Sequence, residues 1–279
     1  AAIRSRVLLS CAPKQLVSVL PSPQKSKGNT MYDSLSVKDI FRAPKRNIRK
    51  CFTHNKFCSR SQLSDRSDSL VYVHIGKCGG STVRSELAKG GFKYVKKHVQ
   101  RIDFDQHKKY IIVIRNPIER FVSAFNWRYK LVVSEQIQPD RFEGEKILLE
   151  KYKTANNLAE NIYNQTGEQH LDFRKPENYI HHITEDIDFH IGKFLSQCKR
   201  ENIIAVLATE TLKKDLKNHF DIELESHYRK NKIKTDLSNM AVNNLVNYLR
   251  KDFACIERLN DLNLLSREQF TALSRTNFQ

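Results

Sequence analysis

Two short stretches constrain the fold more than anything else in the chain: His74-Ile-Gly-Lys-Cys-Gly-Gly-Ser-Thr82 and Val113-Ile-Arg-Asn-Pro-Ile-Glu-Arg-Phe-Val-Ser123. Each follows an apolar, β-branched run, Leu70–Ile75 and Tyr110–Ile114, and each opens a helical pattern. A strand that ends in a tight loop and turns into a helix aims backbone N–H groups and a helix N-terminus at an anion. Two such units in one chain imply a ligand with two separate phosphate groups.

Around these units the texture is that of an α/β fold with a largely parallel sheet. Strands are expected at Leu70–Ile75, Phe92–Val95, Tyr110–Ile114 and Asn202–Ala208. Helices are expected at Ser81–Lys89, Pro117–Val132, Ala155–Tyr163, Phe189–Gln197, Glu210–Phe220 and Asn239–Leu259. Asn116 is placed to cap the second of these helices, Pro117 suits its first position, and Glu119 is spaced to close a capping box. In the last helix Leu245, Tyr248, Leu249, Phe253 and Ile256 recur every three or four residues, which predicts packing on the sheet.

Charge divides the chain. Residues 1–60 hold 13 Lys/Arg and 2 Asp/Glu, a net of +11, whereas the whole chain carries +17, leaving +6 for the rest. The basic excess therefore belongs to a leading segment, 1–65, and does not by itself signal a specific nucleic-acid partner. Acid-poor, with Ser/Pro/Lys clusters and no periodicity, this segment reads as disordered or as a targeting stretch. Its apolar run Val7–Leu20 is interrupted by Pro13, Lys14 and Gln15, too short to span a bilayer. A start at Met31 is also open. Residues 66–279 form the expected folded domain. The six cysteines show no CxxC pair and read as scattered free thiols of a reducing compartment; a Cys51–Cys58 bridge in an oxidising one is the alternative, which spacing does not establish. No metal-ligand constellation is visible in the sequence.

In the first loop Lys77 precedes the glycine pair Gly79-Gly80, and the hydroxyls of Ser81 and Thr82 follow it. A nucleoside-triphosphate P-loop carries its lysine after the last glycine, so ATPase or kinase chemistry is disfavoured, and an atypical nucleotide kinase is the second enzymatic reading. The backbone of Cys78 to Thr82 can wrap a phosphate, and Lys77 can reach the same group from the strand end, where a cation stabilises charge on a departing oxygen. In the second unit Arg115 offers a planar fork to phosphate and Ser123, two helical turns on, a neutral donor. Arg120 is open between substrate contact and an ion pair on the helix surface.

As a pair, the two motifs resemble the nucleotide-binding signatures of sulfotransferases that use 3′-phosphoadenosine 5′-phosphosulfate (PAPS), in particular the heparan sulfate 2-O-sulfotransferase-like carbohydrate enzymes. The resemblance covers about residues 70–262. It implies a P-loop-like three-layer sandwich whose central, mostly parallel sheet is flanked by helices. It further implies that Lys77, Cys78, Gly79, Gly80, Ser81 and Thr82 hold the 5′-phosphosulfate, and Arg115 and Ser123 the 3′-phosphate. Cys78 stands where the family commonly has a hydroxyl residue, so a side-chain donor is lost while its N–H is expected to remain available. His98-Val-Gln-Arg-Ile-Asp-Phe104 resembles the segment carrying the catalytic histidine, Ile204–Leu212 a later core strand running into its helix, and Tyr228–Lys234 a basic loop closing over the nucleotide.

These implications give a carbohydrate O-sulfotransferase needing no metal, with His98 as general base and Lys77 on the leaving phosphate. The base assignment stays open: His98 also fits a solvated Lys96-Lys97-His98 loop, and Asp103 and Glu119 are rivals. His74 is expected to be structural, and His181 and His182 either contact acceptor or sit on the surface. Lys93, Lys96, Lys97, Arg101 and Arg128 either line a groove for an acidic polysaccharide or form a solvated face. The non-enzymatic alternative is a binder of anionic polymers through the basic N-terminus. The compartment is open between cytoplasm, for a bacterial or viral source, and Golgi, for a truncated eukaryotic one.

Overall fold

The computed structural model describes residues 70–224 and 236–276. The leading segment, Cys51 and Cys58, and the Tyr228–Lys234 loop lie outside the described residues. Four strands form one all-parallel sheet: β1 (Leu70–His74), β2 (Val95–His98), β3 (Lys109–Ile114) and β4 (Ile203–Ala208), in the order β2-β1-β3-β4. Helices flank this sheet, in the α/β sandwich arrangement that the strand–loop–helix units imply. The register aligns His74 with His98 on one side and with Val113 on the other. The loops after β1, β2 and β3 therefore leave the sheet at one edge. Chain order reverses at β1, which has β2 on one side and β3 on the other, and the C-terminal ends at such a reversal frame the crevice where open α/β sheets bind ligands.

The strands are continuous apolar runs because both sheet faces are covered; Val71, Tyr72, Val73 and Tyr110 through Ile114 are all buried. Around them pack α1 (Gly80–Lys89), α5 (Ile187–Gln197), α6 (Leu212–Phe220), α8 (Arg250–Asp261) and α9 (Arg267–Ser274). A second apolar cluster joins α2 (Pro117–Tyr129), α3 (Glu145–Tyr152), α4 (Ala155–Glu160) and α7 (Asn239–Tyr248).

Several sequence expectations shift. The second strand is Val95–His98, not Phe92–Val95, so the Lys96-Lys97-His98 run is sheet and not a solvated loop. The helix after β3 ends at Tyr129 and continues as one π-helical turn, Lys130–Ser134. Asn116 does cap it, accepting from the N–H groups of Ile118 and Glu119 at 3.0 and 3.2 Å. No capping box closes: the Asn116 N–H donates instead to Glu210 Oε1 at 2.9 Å, because Glu119 turns outward to two arginines. The long C-terminal helix is broken at Leu249. Its Leu245, Tyr248 and Leu249 join the helical cluster, Cys255, Ile256 and Leu259 reach the sheet's core, and Phe253 packs against both. Two helices, α3 and α9, were not among those expected.

Arg128 is not a groove residue. It is 1% exposed and paired bidentately with Glu145, Nε to Oε1 at 2.8 Å and Nη2 to Oε2 at 2.6 Å. Among the described residues no helix is long and apolar enough to cross a membrane.

Candidate functional site

The first loop owes its shape to two left-handed residues, Lys77 (φ 68°) and Gly79 (φ 71°), separated by one residue. This alternation turns successive N–H groups to one side, the arrangement that makes an anion-binding concavity. Gly79 begins α1 without a side-chain cap. The N–H groups of Gly79, Gly80 and Ser81 have no acceptor among the described residues. Those of Thr82 and Val83 are satisfied by the Gly79 carbonyl at 3.0 and 3.3 Å. The Cys78 N–H is also engaged, weakly, by the Ile75 carbonyl at 3.4 Å. Cys78 itself is fully buried, and burial pushes its thiol up to about 12, so it is an inert core residue. Ser81 is exposed at the helix start and Thr82 is buried.

The glycines serve different ends. A Cβ on Gly80 would lie 2.5 Å from the His74 ring, and one on Gly76 would lie 2.3 Å from His182 Nδ1. Two buried histidines thus press against the loop, and neither position has room for a methyl group. Gly80→Ala is expected to cost about 1–3 kcal/mol by overpacking, read as a lowered urea midpoint; an unchanged midpoint would contradict this packing.

Arg115 directly follows β3 and is half-buried. Its Nη2 donates to Glu119 Oε2 at 3.0 Å, and its Nε is buried without a partner. Glu119 also accepts from Arg275 at 2.9 Å, so its carboxylate orients Arg115 and is not poised beside the first loop as a base. Ser123 is buried on the same helix. Lys77 Nζ lies 4.5 Å from the centroid of the Trp127 ring, also on α2. The second helix therefore touches both anion-receptive loops.

Arg120 joins them most firmly, and it forms no surface ion pair. Only 1% exposed, it donates Nε to the Gly76 carbonyl at 3.1 Å and Nη2 to the His182 carbonyl at 2.7 Å and to the Glu185 carbonyl. His181 and His182 are likewise buried, not on the surface. The missed residue is Glu185, whose role no local pattern signals. Burial alone would raise its carboxyl, but hydrogen bonds from His181, Tyr179 and the His182 N–H hold it down at about 2.

Four imidazoles lie in series beside the first loop. Ring centroids step from His74 to His98 (4.3 Å), His98 to His182 (6.0 Å) and His182 to His181 (3.9 Å). His98 ends β2, and its Nδ1 meets the His74 carbonyl at 2.9 Å. A carbonyl only accepts, so Nδ1 carries the proton and Nε2 holds the lone pair. Burial, then the charge of Lys96, lowers His98 to about 4. His190 is lowered to about 3, and His74 and His182 well below their ordinary value, each chiefly by burial.

His74, His98, His182 and His190 titrate lower folded than unfolded, so their neutral forms stabilise fully above pH 6.5, and that stability is lost as pH falls toward 4. Each costs about 1.4 kcal/mol per pH unit in that window, opposed by Asp252, which burial raises to about 8. The urea midpoint is expected to drop clearly between pH 7 and pH 5; a flat profile would show that the histidines are not held neutral.

His181, His182 and Glu185 bring ligand atoms within 4.8 Å of one another, a metal-like grouping that sequence spacing did not reveal. The Glu185 oxygens already accept from Tyr179, His181 and the His182 N–H, and Lys77 and Arg120 add positive charge close by. The trio is thus built as a hydrogen-bonded network. Of the proposed groove, Lys97 and Arg101 line a cavity of about 680 Å³ together with Asp103. That cavity also takes in Val71 and Tyr110, near the start of their strands.

A parallel sheet whose reversal point carries two strand–loop–helix units, with His98 beside them, is the frame of a group-transfer enzyme. A model of the sulfotransferase family matches residues 60–231, and the chain belongs to that family. No curated protein and no solved structure matches it.

Proposed function

We propose that the chain moves a sulfuryl group from PAPS to a hydroxyl of a carbohydrate acceptor. The observation that carries this reading is His98: its Nδ1–H is committed to the His74 carbonyl, leaving Nε2 as a proton acceptor beside the lysine loop. The unpaired N–H groups of the first loop and the partnerless Nε of Arg115 fit a ligand with two anionic ends. The likeness of the motifs to the 2-O-sulfotransferase type favours a sugar acceptor.

PAPS, when bound, supplies an activated sulfuryl group on a phosphate leaving group. The N–H groups of Gly79, Gly80 and Ser81, within the Lys77–Thr82 loop, hold its 5′ end, and Arg115 with Ser123 holds the 3′-phosphate. Lys77 neutralises charge developing on the leaving oxygen. His98 Nε2 takes the proton of the attacking hydroxyl. The low affinity of His98 for protons keeps it unprotonated, so the acid limb of kcat/KM is expected near pH 4 and not near 6.5.

The test is radiolabelled PAPS incubated with a panel of glycans, lipids and phenols. Label is expected on a glycan; transfer only to phenols or lipids would overturn the acceptor class, and no transfer the reading itself. His98→Ala is expected to lower turnover about 10²-fold with PAPS affinity little changed, and near-full turnover would remove His98 as base. We further assign catalysis to residues 66–279, so deletion of 1–60 is expected to preserve nucleotide binding. Loss of binding on that deletion would favour the basic segment as the binder.

A further inference from the structure

His182 is held in an unusual way. Its backbone is left-handed, φ 69°, a conformation uncommon for a residue with a side chain and one that clusters at functional positions. Both sides of the residue are clamped: its N–H donates to Glu185 Oε2 at 2.6 Å, and its carbonyl accepts from Arg120 at 2.7 Å. The ring is pinned as well. The His181 ring stacks on it at 3.9 Å, and its Nδ1–Cε1 edge faces Gly76, where a Cβ would meet Nδ1 at 2.3 Å and Cε1 at 2.8 Å.

Nδ1 is buried with no hydrogen-bond partner, and it alone of the two ring nitrogens is shut away in this manner. An orphaned buried N–H is rarer in proteins than an under-used acceptor. The proton of the neutral ring therefore belongs on Nε2, which is not shut away without a partner as Nδ1 is. Burial, and then the nearby cations Lys77 and Arg120, keep the ring neutral. The ring lies 6.0 Å from that of His98, which has the opposite tautomer. One histidine thus offers a lone pair and its neighbour an N–H, the division of labour expected where environment separates two like groups.

Resting on the PAPS reading, we propose that His182 is a second catalytic residue, presenting Nε2–H as a neutral hydrogen-bond donor to the sulfuryl oxygens of the bound nucleotide. The sulfuryl group is present in PAPS and absent from adenosine 3′,5′-diphosphate, so the contact separates the two ligands without any acceptor being known. Calorimetry on the full chain with both nucleotides, comparing wild type with His182→Gly, which suits the left-handed backbone, reads it directly. PAPS affinity is expected to fall about tenfold or more, as for a hydrogen bond to a charged group, with adenosine 3′,5′-diphosphate within about twofold. Imidazole should restore PAPS binding, and N-methylimidazole, which lacks the N–H, should not.

Equal loss for both nucleotides would assign His182 to loop support alone, and no loss, or rescue by N-methylimidazole, would overturn the donor role. Wild type that binds neither nucleotide would bring down the PAPS reading and this proposal together. Should His182→Gly fail to fold, ¹⁵N-histidine spectra of the wild-type chain decide, with His182→Asn for assignment. An Nε2–H tautomer is expected at His182 and an Nδ1–H tautomer at His98; Nδ1–H at His182 would refute the proposal.

Discussion

Lys77→Ala is expected to reduce sulfuryl transfer from PAPS by about 10²–10³-fold, the usual loss when one preorganised stabiliser of transition-state charge is removed. The chain should remain folded, because Lys77 is only half-buried and its side chain leans on Trp127 without filling the core. Its backbone is the telling feature. At φ 68° an L-residue is strained where glycine would not be, so a side chain kept here is kept for what its far end does. Lys77→Gly should accordingly hold stability within about 1 kcal/mol, relief of the left-handed strain offsetting the lost contact with Trp127. Radiometric transfer assays with urea titrations in parallel read both quantities. A Lys77→Ala enzyme with undiminished turnover would remove lysine from the leaving-group role.

Arg120→Met should do the reverse, destabilising the fold by about 3–5 kcal/mol. The guanidinium is buried and ties the Gly76 carbonyl of the first loop to the His182 and Glu185 carbonyls of the segment beneath it. Methionine fills similar volume but leaves those carbonyls without their donor, and the buried carboxyls near it, Asp186 and Asp252, without its positive charge. Nucleotide affinity would fall as a consequence, since the loop loses its anchor. Arg115→Met supplies the contrast: its Nη2 pairs at a partly exposed site worth little to stability, so it should lose nucleotide affinity with the urea midpoint nearly unchanged. A wild-type midpoint for Arg120→Met would show that the two segments hold together without this residue.

Both strand–loop–helix units were legible because their signals are local: a β-branched run, glycines and a cap lie within a dozen residues of one another, and Asn116 and Pro117 behave as their spacing demands. The break at Leu249 was not legible. The apolar period runs through it, and only the presence of two separate cores turns the halves apart. Arg128 carried the opposite lesson, since a basic residue in a basic chain reads as surface until Glu145, far along the chain, is seen to neutralise it. Likewise Arg120, His182 and Glu185 have no shared pattern in the chain, being separated by 62 and 65 residues where they bond.

From its amino acids alone, this protein has a parallel α/β frame and two strand–loop–helix units, because backbone geometry in such a unit depends on neighbours in sequence. Tertiary structure alone decided which nitrogen of His98 is free, why Gly76 and Gly80 admit no side chain, and how Glu185 stays charged in the interior. Those properties depend on burial and on partners brought together from distant segments, and neither exists until the chain has folded.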